Sequence, residues 1–466
     1  MEPFLTISFP GPTELGFYRN ERRAVGAVSS RRESEAHAIA AAGEKPILAA
    51  GSAREATGTK SPIRLAIVVS HPIQHFVSLY RALASRTELR VKVFYAAKIG
   101  VNAYYDQEMA ATIRWAGDPL SGYESEFLPG SERISEAGFL SIDNPGVGRK
   151  LAEFNPDAVM VYGYAQLTQL QAFAWSHWRG VPILMTGDGD NLPRPTGHRE
   201  ALRKFILKRL MRRIGAFLTV GDQNEAMLQG LGVPRDRMFR APLPIDEAVY
   251  ADFAARRTEE RARVRDMLGV DEDTLVLLYA GKLTLRKRPR DLVEAWARLA
   301  SKGAFRGKIA IWYCGDGQAK PDLARAIEST GAPAALVGFV NVDLLPAYYC
   351  AADILVHPSE RDPHPLICSE AACIGLPMIL SDRIGAIGPT DIARDGQNAL
   401  VYRCGDIDAL GAAISTLSGD AALRQKMSRN SRAIYLEYSL SVTVEGLLRA
   451  LRSTVGDPSA AIERPR

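Results

Sequence analysis

Short runs of uninterrupted apolar residues, each followed by a helical pattern, recur along this chain and constrain its fold more than any other feature. The first series reads "RLAIVVS" (64–70), "VKVFYAA" (91–97), "AVMVYGY" (158–164), "VPILMTGD" (181–188) and "AFLTVGD" (216–222), with helical patterns at 166–178 and 198–213 between the later members. The second reads "TLVLLYAGK" (274–282), "KIAIWYCGDG" (308–317), "AALVGF" (334–339), "DILVHPS" (353–359), "PMILSD" (377–382) and "ALVY" (399–402). A strand that is apolar at nearly every position is buried on both faces, so it belongs to a parallel sheet covered by helices on either side. Two such series, split near residue 247, predict two Rossmann-like doubly wound α/β domains, over 63–247 and 248–435, facing a central cleft. The last helices, within 420–455, are expected to cross back and tie the domains together, with residues 436–466 forming that crossing helix and a tail. Residues 1–62 show no sustained apolar period and read as a disordered extension.

Composition narrows the function classes. The chain has 466 residues and a net charge of +5, too mild for its length to indicate a dedicated nucleic-acid binder. Its five cysteines (Cys314, Cys350, Cys368, Cys373, Cys404) are irregularly spaced and form no C-x-x-C, which argues against a disulfide framework or a structural zinc site and for a reducing cytosol. No apolar run approaches the roughly 18 residues of a membrane span. The N-terminus lacks a basic region leading into an apolar one, so no signal peptide is expected.

Doubly wound sheets bind ligands at the carboxyl ends of their strands. After the first strand of the second series comes "GKLTLRKRPRD" (281–291), where Lys282 and Lys287 stand with Arg286 and Arg288. Basic side chains there suit a diphosphate, although a solvated basic turn would look the same. "CGDG" (314–317) carries Gly315 and Gly317, a turn that lets a ligand approach the backbone. The stretch "DPHPLICSE" (362–370) sets Asp362 and Glu370 at the two ends of a mostly apolar segment. Pro363 and Pro365 mark a helix start. The backbone N–H groups of Leu366 and Ile367 would then offer an anion site, with Glu370 one turn further in. Asp362 could instead cap that helix, a role that leaves Glu370 in an apolar helix unexplained.

With these residues in view, the chain resembles the retaining glycosyltransferases of family 4, which have the GT-B fold. Their hallmark is Glu-x7-Glu within "EPFGLVxxEAMAxGxPVI", matched here by "DPHPLICSEAACIGLPMI". "YAGKLTLRKRPRDLVEAW", "YCGDG", "LVGFV", "LPAYYCAADILVHPS" and "RDGQNALVY" follow the family's order across 270–415. The first half, with "SHPIQHF", "WAGDPLSGYESEFL" and "GVPRDRMFRAPLPID", resembles a bacterial branch associated with cell-surface polysaccharides built on lipid carriers. The resemblance implies a nucleotide-sugar donor whose diphosphate meets Lys282 and Lys287, whose ribose meets Glu370 and whose sugar meets Asp362. His364, Gly315 and Gly317 fall on substrate-binding positions of the same motifs. Asp362 stands where the family has Glu, Pro365 where it has Gly, and Lys282 where it has Arg; Glu360 is an alternative sugar contact. No cofactor or metal is implied.

His71, Gln74 and His75, in the loop after the first strand, are expected to meet an acceptor, a saccharide or lipid-linked saccharide. Pro72 between the two histidines speaks against a metal pair. Asp188 in "DGD" (188–190) is expected on the acceptor side of the cleft rather than at a metal. In "REALRKFILKRLMRRIG" (199–215), Lys204, Lys208, Arg209 and Arg212 share one helical arc; Leu202, Ile206, Leu210 and Ile214 share the other. That helix reads either as a packed surface helix or as a contact with anionic lipid headgroups over 199–214. The expected function is sugar transfer with retention by a cytoplasmic enzyme, peripheral at the inner membrane face. A GT-B epimerase or an inactive membrane- or polyanion-binding scaffold are the alternatives.

Overall fold

The structure, a computed structural model, describes residues 61–455 except 107, 110, 116, 137, 193–197 and 304–306. The extension read over 1–62 therefore lies, up to residue 60, outside the described residues. In chain order the first domain holds β1 (Ile63–Val69), β2 (Leu89–Tyr95), β3 (Tyr104–Asp106), β4 (Ala111–Ile113), β5 (Glu124–Phe127), β6 (Ala158–Tyr162), β7 (Ile183–Thr186), β8 (Ala216–Thr219) and β9 (Met238–Arg240). The second holds β10 (Leu275–Ala280), β11 (Ile309–Cys314), β12 (Ala334–Gly338), β13 (Ile354–His357), β14 (Met378–Ser381) and β15 (Ala399–Tyr402).

Seven strands form the first sheet in the order β5-β2-β1-β6-β7-β8-β9, and six form the second in the order β12-β11-β10-β13-β14-β15. Every pairing inside both sheets is parallel; β3 and β4 form a separate antiparallel hairpin. Burial explains the apolar runs. Leu65 to Val68 and Leu277 to Tyr279 are fully enclosed, with alternate residues facing helices on opposite sides. Strand order reverses between β1 and β6 and between β10 and β13. A crevice opens at the carboxyl ends of the strands at such a reversal, because the flanking connections leave in opposite directions.

The chain's last described helix, Leu440–Val455, packs its Val444, Leu447, Leu448, Ala450 and Leu451 into the first domain's core beside Leu65, Leu184 and Leu218. It lies so close to β9 that a Cβ on Gly446 would strike the carbonyl of Arg240. Charged loops add to this apolar link. Arg240 bonds Asp222 Oδ1 (2.8 Å) and Glu225 Oε1 (2.8 Å), and Asp222 takes the backbone N–H of Thr390 (2.9 Å) from the second domain.

Candidate functional site

The reversal between β10 and β13 brings Lys287 and Asp362 together, although they lie 75 residues apart. Lys287 sits in a single 3-10 turn (Leu285–Lys287) after β10 and donates to Asp362 Oδ2. His357, the last residue of β13, places Nε2 at 2.8 Å from the same oxygen. Burial pushes the Asp362 carboxyl up, but the His357 hydrogen bond and the Lys287 charge outweigh it and hold the pKa at about 2. Burial holds the His357 pKa down, so the neutral ring donates its Nε2 proton to the carboxylate. Asp362 caps no helix: helix Leu366–Ile374 begins after Pro365 without a side-chain cap. Its first residues, Leu366 and Ile367, are half-buried.

Lys282 is engaged from the first domain. Its Nζ lies 3.0 Å from Asp106 Oδ2, at the end of β3, and 2.8 Å from Glu108 Oε2. Burial lowers the Lys282 pKa, but these two carboxylates more than offset it and raise it overall. The same segment crosses to the second domain further along, where Asn341 Nδ2 donates to the Arg114 carbonyl (2.8 Å) and Trp115 meets Phe339 edge-on. Gly315 and Gly317 are dictated by packing: a Cβ on either would collide with the carbonyl of Gly281 or Leu283.

The remaining residues singled out from sequence divide between cleft and interior. Glu360 is exposed and lines the cleft. Glu370 is buried, accepts from Tyr349 Oη (2.7 Å), and has its pKa raised by that burial. His364 is buried with Nε2 at 3.3 Å from Asp391 Oδ1. Asp391 also accepts from the Asp222 backbone (2.7 Å) and Tyr438 Oη (3.0 Å), so His364 belongs to the network tying the domains. In the first domain His71 Nδ1 meets Ser70 Oγ at 2.9 Å. Burial, and secondarily His71, pushes the pKa of the half-buried His75 down to about 4. Gln74 begins the short 3-10 turn (Gln74–Phe76) that holds His75 and leads into the following helix.

Asp188 has an exposed edge, yet its pKa is raised, first by desolvation, and the Asp362 charge adds to that rise. Its neighbour Asp190 is buried and takes a hydrogen bond from Arg361 of the second domain. Among the described residues no group of three or more His, Cys, Asp or Glu is placed to hold a metal ion. Sequence reasoning missed Asp106, Glu108, His357, Asp190 and Arg361. Only His357 and Asp190 stood inside quoted motifs, and neither motif carried a sign of its partner.

Between the domains opens a cleft of about 680 Å³, walled by Leu192 of the first domain and by Glu360, Arg286, Arg288, Arg361 and Arg383 of the second. Away from it, helix His198–Met211 differs from the two-arc reading. Leu207, Met211 and Ile214 enter the core, whereas Leu202, Phe205 and Ile206 are 61%, 56% and 56% exposed. The sheet lies under the line through 207 and 211, which turns Leu202 and Ile206 outward among exposed Lys204, Lys208, Arg209 and Arg212. The Arg209 guanidinium sits 5.0 Å from the Phe205 ring centre. No described helix is long and apolar enough to cross a membrane.

Two doubly wound parallel sheets facing a cleft, with the basic turn of one opposite the loops of the other, define a GT-B protein. Residues 260–434 match the family described as "Glycosyl transferases group 1", and 72–244 match "Glycosyl transferase 4-like domain". Both models describe glycosyltransferases, and each matches the greater part of one of the two domains. It is 26% identical over 253 residues to the alpha-D-kanosaminyltransferase of Streptomyces kanamyceticus, covering 53% of this chain and 63% of that protein. It is 31% identical over 214 residues to the D-inositol 3-phosphate glycosyltransferase of Geodermatophilus obscurus, covering 44% and 46%. The chain thus spans less than two thirds of the length of these curated relatives. Among solved structures, Anabaena HepE in complex with UDP superposes with a TM-score of 0.63 at 16% identity, covering 84% of this chain and 100% of that one.

Proposed function

We propose that this protein transfers a sugar from a nucleotide-diphosphate sugar to a saccharide acceptor with retention of configuration. The observation that carries this reading is the convergence of Lys282, Lys287 and Asp362 at the β10/β13 reversal, facing the first domain. Lys282 and Lys287 would neutralise the donor's diphosphate, aided by the N–H groups at Leu366 and Ile367. Asp362, held ionised by Lys287 and His357, would meet the transferred sugar, and Glu370 the nucleoside. As the anomeric C–O bond to the diphosphate breaks, the acceptor oxygen bonds the same face of the sugar. The acceptor's proton passes to a donor phosphate oxygen, so no protein base is required. HepE, crystallised with UDP and with UDP-glucose, supports a nucleotide-sugar donor.

The acceptor is read as lipid-linked or cell-surface saccharide, met by His71, Gln74, His75 and Asp188. The exposed Leu202, Phe205 and Ile206 among four basic side chains support a peripheral contact of this domain with an anionic, cytoplasmic-face bilayer. No metal is required in this scheme. The test is a thermal-shift screen against UDP, GDP, ADP and their sugars, followed by acceptor-dependent release of the nucleoside diphosphate. Failure of all nucleotides to bind would refute the donor site, and conversion of the donor sugar without any acceptor would replace transfer by epimerisation.

A further inference from the structure

The cleft between the domains holds more positive charge than a diphosphate held by Lys282 and Lys287 calls for. Four guanidiniums line it against one carboxylate, Glu360. They come from loops after three different strands: Arg286 and Arg288 after β10, Arg361 after β13 and Arg383 after β14. Lys287 stands between two of them in sequence but turns away to Asp362, and Lys282 turns toward Asp106 and Glu108. The cleft therefore lies toward β13 and β14, on the opposite side of β10 from the Gly315–Gly317 turn after β11.

Three of these arginines are anchored by hydrogen bonds. Arg288 Nε donates to Asp291 Oδ2 (2.7 Å), a carboxylate 8% exposed behind the wall. Arg361 donates to buried Asp190, and Arg286 Nη1 donates to the Arg361 carbonyl (2.7 Å). Arg383 Nε lies 3.7 Å from Asp382 Oδ1. A guanidinium has five N–H donors, so one anchored at one edge can present another as a planar fork, the geometry that grips phosphate and carboxylate with paired bonds. Arg288 is also one of two non-glycine residues with positive φ (50°) among those described. Such a conformation costs of order 1 kcal/mol or more, and it persists where the surroundings over-determine it, often at a functional site.

We propose that this cleft binds an anionic group, a phosphate or a carboxylate, carried by the transferred sugar or by the acceptor, with Arg286, Arg288, Arg361 and Arg383 as its guanidinium ligands. The substrate on this side of the reaction is then an acidic or phosphorylated saccharide. This inference rests on the donor reading above for the position of the diphosphate, but the arginine cleft can be tested without it. The variant is R286Q/R383Q, which leaves both buried carboxylate anchors in place; R383Q alone is the backup should the double variant fold poorly.

First, inorganic phosphate without nucleotide should raise the melting temperature of the wild type and not of the variant. An equal shift in both overturns the proposal. Second, calorimetry with UDP should give the same affinity in both proteins, since Lys282 and Lys287 are intact; a parallel collapse of UDP binding would show that the cleft is the diphosphate site itself and overturn the proposal. Third, two arms locate the anion: UDP-glucuronate against UDP-glucose for the donor, and glucose 6-phosphate against glucose for the acceptor. A charged member favoured about tenfold or more in one arm, and levelled in the variant, assigns the source. No preference in either arm reduces the cleft to an adventitious anion site and overturns the proposal. If UDP fails to bind while phosphate still protects through the arginines, the donor reading falls and the cleft stands.

Discussion

Freeing Lys282 from the first domain should tighten nucleotide binding. In the structure its ammonium is held by Asp106 (3.0 Å) and Glu108 (2.8 Å), so a donor diphosphate reaching Lys282 must displace both carboxylates. The side chains of Lys282, Asp106 and Glu108 are 35%, 14% and 55% exposed, which places the pairs in partly screened surroundings. Such pairs contribute about 0.2–1 kcal/mol each. Removing both should therefore return about 0.4–2 kcal/mol to ligand binding, and at 1.4 kcal/mol per decade that is about a 2- to 30-fold gain in affinity. The assay is calorimetry of UDP, or of whichever nucleoside diphosphate the wild type prefers, with Asp106→Asn/Glu108→Gln against wild type. The gain should shrink as salt rises, because screening weakens the competing pairs first. It should vanish when Lys282→Ala is added. Unchanged or weaker binding in the double variant would refute the reasoning, and would mean that Lys282 is a strut between the domains rather than a ligand for phosphate.

Lys287→Ala should cut donor turnover by more than about tenfold, since it leaves Asp362 and the diphosphate together without their shared cation; wild-type turnover in that variant would remove Lys287 from the site. Acid should destabilise the fold through His75: the unfolded side chain takes up a proton near pH 6.5 and the folded one only near 4, so the unfolded state binds more protons between those values and stability falls as pH drops through that window. Urea unfolding at pH 7, 6 and 5 should show a shallower decline for His75→Gln, and an identical decline would exclude that residue as a cause. Purified protein should sediment with anionic vesicles at low salt and much less with neutral ones. Replacing Lys204, Lys208, Arg209 and Arg212 by Gln should weaken this binding by about two to three orders of magnitude, at about 1 kcal/mol per basic residue near the surface, and replacing Phe205 and Ile206 by Ser should weaken it as well; full retention in both variants would move any membrane contact elsewhere.

The sequence by itself determined the sheets. Runs such as "LAIVV" and "LVLLYA" are apolar on both faces, and only a parallel sheet covered twice can bury them, so the strands were legible without any partner being known. It also marked which loops lie at the carboxyl ends of the strands, because Lys287 and Asp362 stand just after strands. What it could not determine is which charge answers which. Lys282 with Asp106 is a contact across 176 residues, Arg361 with Asp190 across 171, and the Asp222 backbone with Asp391 across 169. None leaves a local period or composition, since each depends on how one sheet's loops are set against the other's. The helix at 198–211 shows the same limit at short range. Its periodicity identified a helix with a basic side, but only the position of the sheet beneath Leu207 and Met211 decided that Leu202, Phe205 and Ile206 would face outward. Burial of a strand is a property of its own residues, whereas a salt bridge between domains is a property of the space between two folded surfaces, and that space exists only after both have formed.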